Sequence, residues 1–255
     1  MVTINNYLDG GRDNTIYKKD NCVYRPAGEW TKSIHSFLNY LHDRGFHKVP
    51  YPYGVDHNDN EILSYVDGIV HNGLLPEDVM SDEALISVAT VMSEYHALGE
   101  EYSKTLSGNE KWMLPLREPV ETMCHGDFAP YNLAMKGKKV SGIIDFDTLH
   151  PGPRMWDIAY ALYRWIPLMS PDNPENFGKE EDKIKRMDLF LASYGVEHYK
   201  LSEVIEWVIN RLQYLIHFMQ EEARSGNEIF VRNIEAGHLD QYIKDIEYIN
   251  LIKDK

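Results

Sequence analysis

Short β-prone runs dominate the first 67 positions of the chain, helical spacing dominates the remainder, and one stretch near the middle breaks that order. TIYKK and NCVYRP flank the polar pair Asp20 and Asn21, a pattern that predicts a hairpin. Thr31 is placed to cap a helix in which Ile34, Phe37, Leu38 and Leu41 recur at i, i+3, i+4 and i+7, and Gly45 is placed to stop it. EILSYV predicts a third strand, ended by Asp67 and Gly68. Beyond residue 68, Asp82 is read as the cap of a run carrying Leu85, Val88, Met92 and Tyr95. Val204, Val208, Leu212, Leu215 and Met219 predict a long helix over 202–223, and Tyr242, Ile243, Ile246 and Ile249 another over 238–252. SPDNPENFGKEED, 170–182, reads as an exposed loop, and there is no internal repeat. The expected organisation is α+β, with a small strand-rich lobe carrying one helix over 1–67 and a larger, mostly helical lobe over 68–255.

Composition narrows the function classes. With 43% hydrophobic residues among 255, the chain can bury a substantial core. Against 40 Asp and Glu it has only 26 Lys and Arg, a formal charge of −14, which repels polyanions, and no basic stripe offsets it; no nucleic acid partner is expected. Acidity favours a cationic ligand only weakly, since it also serves ordinary solubility. No apolar run approaches the ~18 residues of a membrane helix, and MVTINNYLDGG lacks the basic-then-apolar order of a secretory signal, so the expectation is a cytoplasmic protein without membrane contact. Cys22 and Cys124 offer neither a disulfide framework nor zinc-ligand spacing.

The interruption is MCHGDFAPYNLAMKGKKVSGIIDFD, 123–147. LAM and VSGIID, separated by KGKK, predict a hairpin that turns at Gly137 and Lys138, with Asn132 and Asp145 near each other at its open end. An amide oxygen and a carboxylate there suit a hard cation, and Mg²⁺, which keeps several waters and is shared with substrate phosphates, fits so small a ligand set. Asp127, five residues upstream of Asn132 in a loop with Pro130, is in a position to orient an acceptor hydroxyl.

HGDFAPYN followed by IIDFD resembles the HGDxxxxN and aspartate-bearing strand of the aminoglycoside phosphotransferase family, whose fold is similar to that of the protein kinases. The thirteen positions from Asn132 to Asp145 match the kinase spacing. The resemblance implies a bilobal protein-kinase-like fold with Asp127 as the catalytic aspartate and Asn132 and Asp145 as metal ligands. It implies that Ser64 and Val66, within SYVDG, are the hinge positions that hold the nucleotide base, and that Asp157 in PGPRMWDIAY braces the catalytic loop. Other residues have plainer readings: His125 for packing and hydrogen bonding, Cys124 as apolar filler, and Trp156, Tyr160, Tyr163 and Trp165 as core. Asp147 either reaches a second cation or caps the following turn.

The amino-terminal lobe departs from the family pattern. Arg25 stands where family members carry the phosphate-binding lysine, and His35 stands where the helix carries the glutamate that fixes it. Arginine grips phosphate oxygens well, but histidine cannot replace a carboxylate. Either another acid holds Arg25, with Glu29 the nearest in sequence, or only bound nucleotide does. The phosphate-covering loop is reduced to Gly10 and Gly11. The expected function is Mg²⁺-dependent transfer of the γ-phosphoryl group of ATP or GTP to a hydroxyl of a small molecule, with aminoglycosides and other cationic metabolites as the acceptor class. Glu221, Glu222, Glu228 and Asp240 are the acids expected to greet an amine-rich ligand. The alternative is a nucleotide-binding regulator without turnover, motivated by Arg25 and His35. A protein kinase is more distant, because no activation segment ending in APE is present.

Overall fold

The computed structural model describes residues 6–7 and 15–253, so Gly10 and Gly11 lie outside the described residues. Packing divides the chain into two compact units: Met1–Val70 with Glu94–Gly126 and Tyr131–Pro153, and His71–Ser93 with Asp127–Pro130 and Arg154–Lys255.

The first unit is built on an antiparallel sheet of five strands in the order β1-β2-β3-β5-β4. Its strands are β1 (Asn6–Tyr7), β2 (Tyr17–Lys19), β3 (Cys22–Pro26), β4 (Pro52–Val55) and β5 (Asn60–Ser64). The hairpin read at Asp20 and Asn21 is present, and both residues have positive φ, 48° and 63°. That is the conformation which matches a two-residue turn to the right-handed twist of its strands. Helix α1 (Thr31–Asp43) buries Ile34, Phe37, Leu38 and Leu41 as their spacing requires, and Gly45, at φ 81°, ends it. Thr31 is the first helical residue rather than the cap: Trp30 occupies that position, and the Thr31 hydroxyl accepts from Gly28 N at 2.9 Å. Strand β4, in the Pro- and Gly-bearing run PYPYGV, lies at the sheet's edge, where a missing N–H is tolerated.

Two short ladders complete this unit, β6 (Thr122–Cys124) with β9 (His150–Gly152) and β7 (Leu133–Lys136) with β8 (Lys139–Ile143). Helix α2 (Asp82–Ser103) contributes residues to both units. Its start is closed by Ser81, whose carbonyl accepts from Leu85 N at 3.1 Å, so Asp82 sits inside the first turn rather than capping it. In the first unit Tyr95 meets Phe37 edge-on, with ring centres 5.7 Å apart.

The second unit is helical. Its remaining helices are α3 (Arg154–Trp165), α4 (Glu180–Tyr194), α5 (Leu201–Arg224), α6 (Glu228–Glu235) and α7 (His238–Lys253). The four aromatics of α3 that periodicity assigned to the core, Trp156, Tyr160, Tyr163 and Trp165, are all buried. The guanidinium of Arg211 on α5 lies 4.4 Å from the Tyr160 ring centre and 5.1 Å from that of Trp156. Asp245 on α7 is fully buried and accepts from Tyr163 Oη at 2.7 Å, Ser170 N at 2.8 Å, Asn173 Nδ2 at 2.9 Å and Gln241 Nε2 at 3.0 Å. Lys183, also buried, donates to Asn176 Oδ1 at 2.5 Å. Among the described residues no helix is long and apolar enough to cross a membrane.

Two outcomes are expected. Asp245→Ala strands several buried donors at once and should cost about 3 kcal/mol or more of unfolding free energy, with Asp245→Asn intermediate; denaturant titration checks this, and a loss under about 1 kcal/mol would contradict it. Burial lowers the Lys183 ammonium to about 8, despite the opposing charges of Asp245 and Glu180. The folded state therefore sheds this proton before the unfolded chain does, and stability rises with pH through that interval. Measured between pH 7.5 and 9.5, the wild-type protein should gain stability relative to Lys183→Met.

Candidate functional site

The β7–β8 hairpin brings together the pair that the sequence marks as metal ligands. Its turn falls at Gly137, φ 57°, and Lys138. The register is Leu133↔Ile143 and Ala134↔Gly142, then Met135↔Val140, so Ser141 is an extra residue in β8. Its hydroxyl donates to Asp67 O at 2.7 Å and to Ala134 O at 3.0 Å. That bulge is why Asn132 and Asp145 stand at unequal distances from the turn and still meet the same end of the ladder. There Ile144 N donates to Asn132 O at 2.9 Å, which puts Asp145 one residue beyond a hydrogen-bonded partner of Asn132. Asn132 is buried, whereas the Asp145 side chain is half exposed. Asp145 has φ 59°, a left-handed conformation that aspartate tolerates better than most residues and that turns the chain out of the strand direction.

Asp145 does not stand alone. Arg25, on β3, donates from Nη1 to Asp145 Oδ1 at 2.7 Å and from Nη2 to Asp147 Oδ1 at 3.0 Å. Its Nε donates to Glu61 Oε1, and Glu61 Oε2 is hydrogen bonded to His35 Nε2 at 2.8 Å. Trp30 Nε1 also donates to Asp147 Oδ1, at 3.0 Å. The acid that holds Arg25 is thus Glu61, which faces it across the β3–β5 ladder, and not Glu29, which pairs with Lys111 at 2.7 Å. Asp147 is engaged by both Arg25 and Trp30. Arg25 and His35, the two departures from the family pattern, belong to one cluster.

Electrostatics follow from this geometry. Burial works to lower the Arg25 guanidinium's pKa, but the charges of Asp145, Asp147 and Glu61 outweigh it and raise it. Burial works against the ionised Glu61, yet His35 and Arg25 hold its carboxyl below the ordinary range. Asp147 is raised, by burial first, with Arg25 opposing and Asp145 adding to the rise. Three carboxylates against one guanidinium leave a formal excess of two negative charges.

The loop before the hairpin is pinned by its own residues. His125 is buried, its Nε2 lies 2.9 Å from Ile144 O, and its ring meets Phe146 edge-on at 4.9 Å. Gly126 has φ 82°, and a Cβ there would lie 2.6 Å from Thr148 O, so this position admits only glycine without rearrangement. Thr148 Oγ1 donates to His125 O at 2.8 Å. Cys124 is buried, with Sγ 3.4 Å from Pro153 O.

Asp127 belongs to the helical unit and is partly exposed. Its carbonyl accepts from Ala129 N at 2.8 Å, and Trp165 Nε1 fixes the neighbouring Phe128 carbonyl at 3.1 Å. Its charge adds to burial in pushing the Tyr160 hydroxyl up. Asp157 is fully buried in the first turn of α3.

Other expected positions are less engaged with this chemistry. Ser64 ends β5, its amide donating to Tyr51 O and its hydroxyl accepting from Tyr51 N, both at 2.8 Å. Val66 packs so closely on Gly142 that a Cβ there would lie 2.3 Å from Val66 Cγ1. Glu221, Glu228 and Asp240 are exposed on the helical unit, and Glu221 pairs with Arg224.

Glu61 is the residue that sequence reasoning missed. The signal was present: Glu61 and Leu63 share a strand face by alternation, and a glutamate on a buried face needs a partner. For a metal, the donors at the hairpin end are hard oxygens from Asn132 and Asp145, and the nearby charge excess suits a divalent ion. Among the described residues no group of three or more His, Cys, Asp or Glu side chains could hold a metal ion by itself. Two hard oxygen donors would leave the remaining positions of a hard cation to water or other oxygen ligands.

Comparison with known proteins agrees with this architecture. A curated relative, the trifolitoxin immunity protein of Rhizobium leguminosarum bv. trifolii, is 25% identical, with 86% of this chain and 84% of that protein covered. A protein described as an aminoglycoside phosphotransferase, from Ralstonia eutropha JMP134, superimposes with a TM-score of 0.64 at 14% identity, covering 92% of this chain and 88% of that one. An amicoumacin kinase in complex with AMP-PNP, Ca²⁺ and Ami gives a TM-score of 0.57 at 12% identity, covering 87% and 84%. The profile of the phosphotransferase enzyme family matches residues 89–177, the segment that holds HGDFAPYN, the β7–β8 hairpin and α3. Over that segment the chain is similar to the phosphotransferase enzyme family, and its fold is protein-kinase-like.

Proposed function

We propose that the protein transfers the γ-phosphoryl group of ATP or GTP to a hydroxyl of a small molecule, with Mg²⁺. The family match supports small-molecule phosphotransfer as the general activity. The observation that supports the finer reading is the end of the β7–β8 hairpin, where the Asn132 carbonyl accepts from Ile144 N and the next residue, Asp145, meets the Arg25 guanidinium. Asn132 and Asp145 would hold the metal, which when bound neutralises charge developing on the phosphate oxygens. Arg25 steadies phosphate oxygens through its terminal nitrogens, a planar fork suited to bidentate contacts. Ser64 and Val66 hold the base by backbone groups. Asp127 accepts a hydrogen bond from the acceptor hydroxyl and aims its oxygen at phosphorus. Positioning and charge neutralisation account for the catalysis, because a loose phosphoryl transition state asks little covalent help of the protein.

The acceptor follows less directly from the residues. The names of the relatives, an immunity protein against a toxin and kinases of antibiotics, support a hydroxyl-bearing antibiotic or toxin as the acceptor. The exposed acids of the helical unit support a cationic one.

The test is a transfer assay with radiolabelled ATP or GTP, Mg²⁺ and a panel of aminoglycosides, amicoumacin, trifolitoxin, choline-like amines and sugars. Label should pass to at least one panel member, and Asp127→Ala should lower that rate by about 10²- to 10⁴-fold while nucleotide binding is largely kept. Failure of every acceptor, together with background nucleotide hydrolysis that Asp127→Ala leaves untouched, would overturn the proposal.

A further inference from the structure

We infer that Glu61 is the positioning residue for Arg25, taking over from strand β5 the anchoring that the family pattern assigns to a carboxylate on the helix, with His35 of α1 holding Glu61 in turn. The inference rests on the phosphate-contacting role proposed for Arg25 and extends it to residues that no motif marks.

Three observations carry it. Arg25 and Glu61 are register partners on antiparallel strands, so their side chains project from the same face of the sheet and the pairing is built into the ladder. The guanidinium is used on two sides: its Nε edge is taken by Glu61, and Nη1 and Nη2 are directed at Asp145 and Asp147. A guanidinium gripped at Nε cannot spin about its long axis, so the grip aims its terminal nitrogens. Glu61 is itself held on both oxygens, by Arg25 on Oε1 and by His35 on Oε2 at 2.8 Å, and its side chain is 1% exposed. A buried carboxylate with both oxygens engaged is a rigid reference point, which an exposed acid such as Glu29, 78% exposed, is not.

The same arrangement explains why histidine is accommodated at position 35. The helix does not need to supply the carboxylate when the neighbouring strand does. It needs to supply a hydrogen-bonding group of the right length to hold that carboxylate, and an imidazole nitrogen does so.

The experiment measures equilibrium binding of MgATP and MgGTP, and of adenosine and guanosine, which lack phosphates. The wild-type protein should bind a triphosphate more tightly than its nucleoside; if it binds neither, the phosphotransfer reading falls, and this inference with it. Arg25→Ala should weaken the triphosphate about tenfold and leave the nucleoside unchanged. Glu61→Gln, which keeps the shape and removes the charge, should reproduce that selective loss. Undiminished triphosphate affinity in Glu61→Gln beside a clear loss in Arg25→Ala would overturn the positioning role while leaving the phosphotransfer reading intact. Equal weakening of triphosphate and nucleoside would also overturn it, because it would mark a general structural role. Should Glu61→Gln fail to fold, His35→Ala is judged by the same criterion, since it releases Oε2 without removing the carboxylate.

Discussion

A guanidinium cannot shed its charge, and burying one demands that oxygen atoms be brought to it from wherever the fold can supply them. Arg25 imposes that demand on the first compact unit. Glu61 answers from the adjacent strand, and Asp145 and Asp147 answer from the segment just after β8. His35 and Trp30 add the helix and its entry to the same network. Elements far apart in sequence are thereby tied to one side chain, and the placement of Asp145 is set by an ionic contact as well as by its strand.

The second constraint is backbone shape. Asp145 is held in the left-handed region between a β-ladder and the buried Phe146, and Gly126 is held there by the closeness of Thr148. Such conformations persist only where the surroundings over-determine them, and here His125 and Thr148 supply the hydrogen bonds that do so. The motif HGD can be read in these terms: histidine as a strut to the strand, glycine as the residue that fits under a carbonyl, aspartate as the group presented beyond them.

How far the sequence disclosed this structure depended on whether the governing interaction was local. The α1 stripe, the Asp20–Asn21 turn and the Gly137–Lys138 turn were legible because spacing and turn chemistry act within a few residues. That the chain around Asp145 returns to Asn132 was legible because a hairpin makes distant numbers into neighbours, here Asn132 and Ile144. Strand β4 escaped because its Pro and Gly content argues against a strand unless it is known to lie at an edge. Glu61 escaped because its partner is set by strand register, which single-strand patterns do not reveal, and proximity in sequence favoured Glu29 instead. Helices α4 and α6 were not singled out; α6 has no fully buried residue, so its apolar stripe is weakly marked.

The pairing of Arg25 with Glu61 across an antiparallel ladder also sets where the gene can change length. Losing a single codon within β5 would rotate every later side chain of that strand to the opposite surface and leave the arginine facing an isoleucine or an asparagine. The bend from Asp56 to Asp59, closed by Asp56 carboxylate contacts to the amides of Asn58 and Asn60, can absorb such a change without moving the frame. Natural variation in length is therefore expected to collect in that bend and to spare the strand beside it.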